Sequence, residues 1–229
     1  MSERFTTAII VAAGDSTRMG YKLSKQLIPI NGHAAIEYTI KAFQNCPLID
    51  EIIIVARSID IDDIAHVAFN FRKVIAVTAG GSTRMASVRK GMHAADKRAT
   101  HYAVHDGARI LITPAEIEKV LNEAYDCSAA ALGTPVTDTL KVMGENGEIV
   151  STPDRSTLWA VQTPQVFEKE LYKRAMGNAL MNNLEVTDDC SMVEALGETV
   201  RIVRGEYSNI KLTTPVDVTI AEAILSKRK

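Results

Sequence analysis

The feature that most constrains the fold is an apolar run that ends in a small residue and a polar loop. Residues 8–13 are all apolar, with β-branched residues at their centre, and Gly14 follows them. A run of this kind is typical of a strand buried on both faces, as in the middle of a parallel sheet. The loop after it therefore opens at the carboxyl end of the strand, where ligands bind in open α/β sheets.

This polar loop carries basic residues suited to phosphate. Arg18 lies in it, and Lys22 and Lys25 follow soon after. Small residues let backbone N–H groups approach a phosphate, and the arginine and lysine side chains add full positive charge. The glycine spacing fits neither a Walker A loop nor the dinucleotide-binding G-x-G-x-x-G pattern. We interpret the loop as a triphosphate cradle, and the alternative is an ordinary strand-to-helix loop with solvated basic residues.

Strands and helices alternate along the rest of the chain. Further strand-like apolar runs occur at residues 51–56, 73–78, 102–105, 129–135 and 200–203. Helical segments separate most of them, and this alternation favours a parallel sheet wound by right-handed crossovers. The segment 162–167 contains a proline and is predicted to be irregular. We expect one domain over residues 1–229, with a doubly wound, mostly parallel, Rossmann-like α/β sheet.

Residues 137–157 break this alternation. Two short apolar runs flank the turn sequence at 145–147, Glu-Asn-Gly, and this arrangement is a strong hairpin signal. A hairpin inserted into an α/β alternation is interpreted as an arm that contacts a second copy of the chain. The alternative is a free flap over the site. The sequence therefore predicts a homodimer formed through this arm.

Composition excludes several classes of partner. The net charge of −2 and the pI near 6.2 give no overall attraction to nucleic acid. No apolar run approaches the ~20 residues that span a bilayer, and no signal-type apolar segment follows the first residues, so we expect a cytoplasmic protein without membrane segments. The cysteines, at positions 46, 127 and 190, are widely separated and indicate neither a disulfide framework nor a zinc site.

A glycine-rich stretch follows the strand predicted at 73–78. Gly80 and Gly81 let the backbone come close to a flat ligand, and the Ser87 hydroxyl could bond the edge of a base. The alternative is a glycine-rich turn in which Arg84 is solvated.

Polar residues also follow two later strands. Asp106 ends a buried strand on the ligand side, and its carboxylate could hold a divalent cation or a substrate hydroxyl. His105 should point to the opposite face and is predicted to be a packed core histidine. Lys211 lies between Asn209, which we expect to be exposed, and a helix start. It could reach phosphate oxygens there, or it could be a solvated loop lysine.

These stretches together resemble one family, the 2-C-methyl-D-erythritol 4-phosphate cytidylyltransferases of the non-mevalonate isoprenoid pathway. The shared motifs are A-A-G-x-x-x-R-M-G with K-Q (12–26), G-G-x-x-R-x-x-S-V (80–88), H-D-x-A-R (105–109), D-T-x-K with D-R (138–141, 154–155), Q-T-P-Q (162–165), T-D-D-x-S (187–191) and N-I-K-L-T-T-P-x-D (209–217). Seven motifs in the same order cover almost the whole chain, which makes the resemblance specific.

The resemblance implies a nucleotidyltransferase whose acceptor, a polyol phosphate, attacks the α-phosphorus of CTP and displaces pyrophosphate, with Mg²⁺ bridging the triphosphate. It implies charge stabilisation at the α-phosphate by Arg18, Lys25 and Lys211. It assigns the nucleotide to Ala12, Ala13, Gly14, Gly80, Gly81 and Ser87. The acceptor falls to Asp106, Arg109, Thr139, Arg155, Thr163 and Thr187, the arm residues across the dimer, and Asp106 is also the candidate metal ligand. Without the resemblance, Thr187 is predicted to be the N-cap of a helix over 188–196.

Three positions depart from the family pattern. Gly107, Ile110 and Thr137 stand where the family has alanine, proline and often arginine, so the loop after Asp106 is expected to be less restrained and its pocket to differ. A ribitol phosphate or other polyol phosphate cytidylyltransferase is therefore the first alternative. A nucleotide-binding regulatory module without turnover is the second. A dehydrogenase is disfavoured because the dinucleotide fingerprint is missing.

Overall fold

The computed structural model describes residues 4–14 and 24–228. Its strands are β1 (Thr6–Ala12), β2 (Pro29–Ile30), β3 (His33–Ala34), β4 (Glu51–Ala56), β5 (Val74–Ala79), β6 (His101–Asp106), β7 (Ala129–Pro135), β8 (Val142–Met143), β9 (Ile149–Ser151), β10 (Trp159–Glu168) and β11 (Arg201–Arg204). Its helices are α1 (Ala35–Asn45), α2 (Ile61–Ala68), α3 (Arg84–Ala94), α4 (Pro114–Cys127), α5 (Lys169–Met181), α6 (Asp189–Glu194) and α7 (Pro215–Lys227).

One large sheet organises these elements. Its strand order is β11-β7-β10-β6-β1-β4-β5. β10 runs antiparallel to both of its neighbours, β6 and β7, whereas the other neighbouring pairs are parallel. The expectation of a doubly wound, mostly parallel α/β sheet is confirmed.

The central strands are buried on both faces, as the apolar run of β1 predicts. Ile10 and Ile54 pack with α1, α2 and α4 on one face of the sheet. Their neighbours Ile9 and Ile53 pack with α3, α5 and α6 on the other face. Because successive side chains of a strand point to opposite faces, a strand covered by helices on both sides must be apolar at every position. A third, smaller cluster holds α7 against β2 and the segment after β6.

The prediction of irregular structure at 162–167 is wrong, because β10 runs through Pro164. The pairing of β10 with β7 shifts register between Val161 and Gln165. The proline falls within this irregularity, where the ladder does not need the N–H group that proline lacks.

α4 and α7 begin with capping boxes. Thr113 caps α4 in a capping box with Glu116, and Thr214 begins α7 in the same way with Asp217. Thr187, however, is not the N-cap of α6. Asp188 takes that place, because its carboxylate accepts the Ser191 N–H at 3.0 Å.

The predicted hairpin is present between β7 and β10. β8 and β9 pair antiparallel, and the Gly147 backbone at the turn has φ +84°, a conformation that favours glycine. Most apolar side chains of this arm are exposed, among them Val142, Met143, Ile149 and Val150. We call residues 137–157 the arm below. Within 4–14 and 24–228, no helix is long and apolar enough to cross a membrane.

Candidate active site

The site lies where the winding of the sheet reverses. The chain runs outward from β1 to β4 and β5, and then returns to place β6 on the other side of β1. The loops after β1 and β6 therefore diverge, and ligands of open α/β sheets bind in the crevice between such loops. A cleft of about 290 Å³ is found there, and its described lining residues are Val11, Ala13, Gly14, Lys25, Gln26, Gly81, Ser82, Thr83, Arg84, Ser87, Asp106, Ala108 and Lys211.

The glycines after β5 allow this loop to pack tightly beside the loop after β1. A Cβ atom on Gly80 would collide with the Cβ of Ala13, and one on Gly81 would lie 2.5 Å from the Cβ of Ala86. Gly81, Ala13 and Gly14 line the cleft. Ala12 does not, because it is fully buried at the end of β1. Its side chain is a core position, so of the loop residues assigned to the nucleotide it is the least accessible.

The Ser87 hydroxyl is fixed by the same loop. It donates to the Thr83 carbonyl oxygen at 2.9 Å and accepts the Gly81 N–H at 3.0 Å. A hydroxyl has one proton, so towards the cleft Ser87 can offer only an acceptor lone pair. This restriction would suit a ligand that presents an N–H donor.

Asp106 is the centre of the charge arrangement in the cleft. Its carboxylate lies 2.8 Å from the Lys211 ammonium, 3.7 Å from Arg84 Nε and 3.9 Å from Arg109 Nε. Burial by itself would raise the pKa of Asp106, but these three cations, Lys211 first, lower it to about 2. The carboxylate is therefore ionised at neutral pH, and the group as a whole keeps excess positive charge.

Buried hydrogen bonds hold the loop after β6 from behind. Asp106 N–H donates to Thr163 Oγ1 at 3.0 Å, and the same hydroxyl bonds His105 Nδ1 at 3.0 Å. His105 Nε2 faces the Arg109 carbonyl oxygen at 3.3 Å. Burial lowers the pKa of His105 to about 3, so the ring is neutral and carries its proton on Nε2. The prediction of a packed core histidine is confirmed.

Thr163 consequently differs from its predicted role. It is buried, and its hydroxyl has a donor and an acceptor partner inside the protein. The hydroxyl therefore supports the Asp106 loop and does not face the acceptor substrate.

The departures Gly107 and Ile110 do not loosen this loop. Gly107 N–H donates to the Val11 carbonyl oxygen at 2.9 Å, and its own carbonyl oxygen accepts the Thr39 hydroxyl at 3.1 Å. A Cβ atom on Gly107 would lie only 3.0 Å from Gln26 Oε1. Ile110 is buried in the small cluster beneath α7 and does not line the cleft. Hydrogen bonds and packing therefore hold this loop in place, and Ile110 is not part of the cleft wall.

Lys211 reaches the cleft because the segment before it is anchored. Asn209 is fully buried, contrary to prediction, and its amide donates to Gln162 Oε1 and to the Thr163 carbonyl oxygen, both at 3.1 Å. The Asn209 carbonyl oxygen in turn accepts Arg109 Nη1–H at 2.7 Å. A buried amide thus fixes the chain next to Asp106, and Arg109 lies beside the cleft rather than in its lining.

Lys25 lines the cleft, as predicted, although it is less exposed than a loop lysine would be. Its relative exposure is 8%. The alternative of a solvated basic residue therefore does not hold for Lys25. Arg18, the other basic residue predicted for this loop, lies outside the described residues.

Arg84 completes the cation cluster, and Asp189 holds it there; the sequence did not single out either residue as functional. Arg84, for which solvation was the alternative, lies 2.5 Å from the carboxylate of Asp189. Asp189 is fully buried and also accepts the Tyr172 hydroxyl at 2.6 Å. Burial raises the pKa of this carboxyl in spite of the guanidinium beside it. A cation at the first position of a helix is the sequence signal that would have found Arg84, because it opposes the helix dipole.

A second cavity of about 510 Å³ adjoins the cleft. Its described lining residues are Thr83, Arg84, Met85, Leu184, Glu185, Val186, Thr187, Asp188, Asp189 and Met192. Thr187 is exposed on its wall and is free of the capping role, which Asp188 fills. Thr83 and Arg84 belong to both cavities, so the two are separated only by the start of α3.

The arm residues assigned to the acceptor stand apart from the cleft of their own chain. Thr139 and Arg155 are exposed and belong to neither cavity lining. Arg155 Nη1–H donates to the Thr137 carbonyl oxygen at 2.7 Å, within the base of the arm. A single chain therefore does not bring them together with Asp106.

The donor set around the cleft fits a magnesium ion that arrives on a nucleotide. Asp106 is the one carboxylate among the described lining residues. No three His, Cys, Asp or Glu side chains within 4–14 and 24–228 are grouped to hold a metal by themselves. Mg²⁺ commonly binds through one or two carboxylates plus substrate phosphates, and it keeps waters for its other positions. One carboxylate beside the cations of the cleft, Arg84 and Lys211, meets that requirement.

The comparisons with known proteins agree with each other. The family model described as "IspD: 2-C-methyl-D-erythritol 4-phosphate cytidylyltransferase" matches residues 6–227. The enzyme of that name from Caldanaerobacter subterraneus subsp. tengcongensis is 44% identical over 224 residues, covering 96% of this chain and 99% of the relative. The one from Symbiobacterium thermophilum is 42% identical over 221 residues, covering 96% and 93%.

Solved structures give the same result for the fold. The crystal structure of 4-diphosphocytidyl-2C-methyl-D-erythritol synthase from Anaerococcus prevotii superposes with a TM-score of 0.88 at 32% identity, covering 97% of this chain and 99% of that one. The 2-C-methyl-D-erythritol 4-phosphate cytidylyltransferase from Thermus thermophilus gives a TM-score of 0.78 at 29% identity, covering 98% and 100%.

Proposed function

The chain belongs to the 2-C-methyl-D-erythritol 4-phosphate cytidylyltransferase (IspD) family, and on that premise we propose that it transfers a cytidylyl group from CTP to 2-C-methyl-D-erythritol 4-phosphate. The products are CDP-methylerythritol and pyrophosphate, in the non-mevalonate route to isoprenoid precursors. The observation that carries this proposal is the cation cluster of the cleft. Lys25, Arg84 and Lys211 all line the cleft, and Arg84 and Lys211 lie beside the cleft carboxylate Asp106, which is ionised.

The reaction needs positive charge more than it needs a base. The acceptor phosphate is already an anion at neutral pH, since the second pKa of a phosphate monoester is about 6. His105, the histidine nearest the cleft loop, is neutral, buried and hydrogen-bonded on both nitrogens, so it takes no proton from the substrate. Catalysis therefore consists of aligning the acceptor phosphate with the α-phosphorus and stabilising the charge on the departing pyrophosphate.

The lysines suit this task. Lys211 has three N–H donors, and the bond to Asp106 engages one of them, which leaves two for phosphate oxygens. Lys25 belongs to the first of the seven motifs and Lys211 to the last, and both side chains line the same cleft. Arg18 remains predicted as a further cation of the same cradle. Cations fixed before the substrate binds need little reorganisation in the transition state, which is why they are effective.

Base preference follows from Ser87. Because this hydroxyl can only accept a bond from the cleft side, it favours the amino group of cytosine over the carbonyl that uracil has at the same ring position. CTP is therefore the proposed nucleotide donor, and UTP is the negative control.

Magnesium is part of the proposal. Asp106 and the triphosphate oxygens would hold it, and when bound it would neutralise phosphate charge and orient the leaving group. The residues of the chain act alongside it as binding and orienting groups.

The acceptor site is proposed to be completed by a second subunit. Asp106, Arg109 and Thr187 lie next to the cleft on one chain, whereas Thr139 and Arg155 project on the arm. The exposed apolar side chains of the arm suit burial against another copy. A homodimer would then place Thr139 and Arg155 of the partner subunit at the acceptor phosphate. A cytoplasmic location, where CTP is made, is proposed with it.

The decisive experiment measures pyrophosphate release by the purified protein with CTP and magnesium. 2-C-methyl-D-erythritol 4-phosphate is compared with ribitol 5-phosphate as acceptor, and UTP with CTP as donor. Release with the methylerythritol phosphate and CTP is expected. Release with ribitol phosphate alone would overturn the acceptor assignment, and the absence of release with both acceptors would favour a regulatory nucleotide-binding role.

A further inference from the structure

Arg84 occupies a position that local helix energetics disfavour. It is the first residue of α3, directly after the N-cap Thr83. The N-terminus of a helix carries partial positive charge, so a cation in the first turn is unfavourable. A residue that breaks a local rule is expected to be fixed by interactions elsewhere in the structure.

The interaction that fixes Arg84 is a buried carboxylate. Asp189 is 0% exposed, and Arg84 Nη1 lies 2.5 Å from its Oδ2. Its other oxygen accepts the Tyr172 hydroxyl at 2.6 Å. The Asp189 N–H donates to Gln165 Oε1 at 3.0 Å, which ties the start of α6 to β10. An unpaired carboxylate in this place would be costly, so Asp189 and Arg84 depend on each other.

The Tyr172 hydroxyl has a fixed direction. Its ring is fully buried and stacks on Phe167, with 4.7 Å between ring centroids and 7° between planes. This packing directs the hydroxyl at Asp189. Together, Tyr172 and Asp189 form a rigid backing for one face of the guanidinium.

The other face of Arg84 is turned to the cleft. Its Nε lies 3.7 Å from Asp106 Oδ1, and its side chain lines both the 290 Å³ cleft and the 510 Å³ cavity beside Thr187. A planar guanidinium has five N–H donors, so pairing with Asp189 leaves others for phosphate oxygens on either side. A lysine could not bond Asp189 and face two cavities at once.

We propose that Asp189 and Tyr172 are positioning residues that hold Arg84 between the two cavities, and that Arg84 is a further catalytic residue contacting the phosphates of both substrates. The inference rests on the proposed cytidylyl transfer. A merely structural ion pair would stabilise the start of α3 and α6 without touching either substrate, so the two roles differ in their kinetic consequences.

The test is a double-mutant cycle on steady-state kinetics. Arg84→Lys is expected to lower kcat/KM for both CTP and the acceptor by about 100-fold, as for loss of one preorganised charged donor. Asp189→Asn is expected to lower kcat/KM by about tenfold and Tyr172→Phe by about threefold. Each should affect CTP and the acceptor alike, and neither should change the KM of only one substrate. In the Arg84→Lys background, each of the two second substitutions should have almost no further effect, because they act through Arg84.

Controls separate this role from stability and from the proposed function. Tyr125→Phe removes a tyrosine hydroxyl bonded to Thr6 Oγ1 at 2.7 Å, far from the cleft, and should leave kinetics unchanged. If Asp189→Asn does not fold, Tyr172→Phe completes the cycle, since it keeps the stacked ring. Multiplicative losses in the double variants, or unchanged kinetics in Arg84→Lys, would overturn the proposal.

A wild-type enzyme without turnover on either acceptor would instead contradict the proposed function. The dissociation constant of magnesium-CTP, measured by calorimetry on the same variants, then decides the positioning role. The positioning role is supported if Arg84→Lys weakens magnesium-CTP binding and the addition of Asp189→Asn weakens it no further. Unchanged affinity in both single variants contradicts this role.

Discussion

Burial determines the charge state and the partners of single residues near the cleft. Lys25 and Asp106 are charged side chains with little solvent contact, and His105 is a titratable ring with none. Each is paired or neutral, because an isolated buried charge is too costly to persist. Substitution at such positions must therefore separate the loss of charge from the loss of packing.

Lys25→Met removes the ammonium and keeps most of the side-chain volume. We expect kcat to fall by about 100-fold while the melting temperature changes little, because the charge acts on the triphosphate and the stem packs in the wall. The matched control is Lys173→Met, whose ammonium pairs with Glu170 on the surface at 2.9 Å. Pyrophosphate release reports activity, and a Lys25→Met enzyme with wild-type turnover would remove this lysine from the site.

His105 gives the protein a specific pH dependence of stability. The unfolded chain protonates this histidine below its ordinary pKa of 6.5, whereas the folded chain, with the pKa lowered to about 3, does not. Stability from this group is complete above 6.5 and is lost as the pH falls towards 3, by about 1.4 kcal/mol per pH unit.

His105→Asn tests that dependence. The variant should be less stable at pH 7, but its free energy of unfolding should fall less steeply between pH 6 and 4.5 than that of the wild type. Denaturant titrations at several pH values provide the measurement. Parallel curves for the two proteins would show that this ring is protonated in the folded state.

At the scale of elements, β10 supports the cleft from behind, and the arm presents residues that are proposed to complete the acceptor site. β10 supplies Thr163 and Gln165, which support the Asp106 loop and the start of α6. The arm precedes β10 directly and most of its side chains are exposed, so they are accessible to another subunit.

Arg155→Ala addresses the role of the arm in acceptor binding. We expect the KM for the acceptor to rise by about tenfold or more while the KM for CTP changes less than twofold, because a charged hydrogen bond to phosphate is lost. Lys141→Ala is the control on the same arm, since its ammonium bonds Thr152 Oγ1 at 2.8 Å. An equal rise in both KM values would argue against an acceptor contact.

At the scale of the whole molecule, the proposed homodimer predicts which exposed surface is covered by a second chain. Val150 on the arm is 62% exposed, and Phe69 at the end of α2 is 85% exposed. We expect Val150→Glu to shift the protein from dimer to monomer in sedimentation and to lower specific activity at low protein concentration. Phe69→Glu should do neither. Dissociation by Phe69→Glu alone would place the interface at α2 and contradict the role of the arm.

Much of the fold is readable from local patterns. β4 and β7 have the predicted bounds, and α4 and α7 each start at a threonine N-cap that a proline follows. The Asn-Gly hairpin turn is also where its sequence places it. These features depend on residues close together in the chain, namely apolar periodicity, N-cap chemistry and turn residues. β10 escaped prediction because only the pairing with β6 and β7 makes a proline-containing segment a strand.

The sequence by itself determined the sheet, its helical layers, the loops that line the cleft and the family. Tertiary structure alone decided which polar groups those loops expose. Thr163 turned inward, Asn209 became an anchor, and Arg84 was set against Asp189, whose position lies 105 residues further along the chain. The physical reason is that a buried polar group must find its partner in space, and the partner that satisfies it can come from any part of the chain.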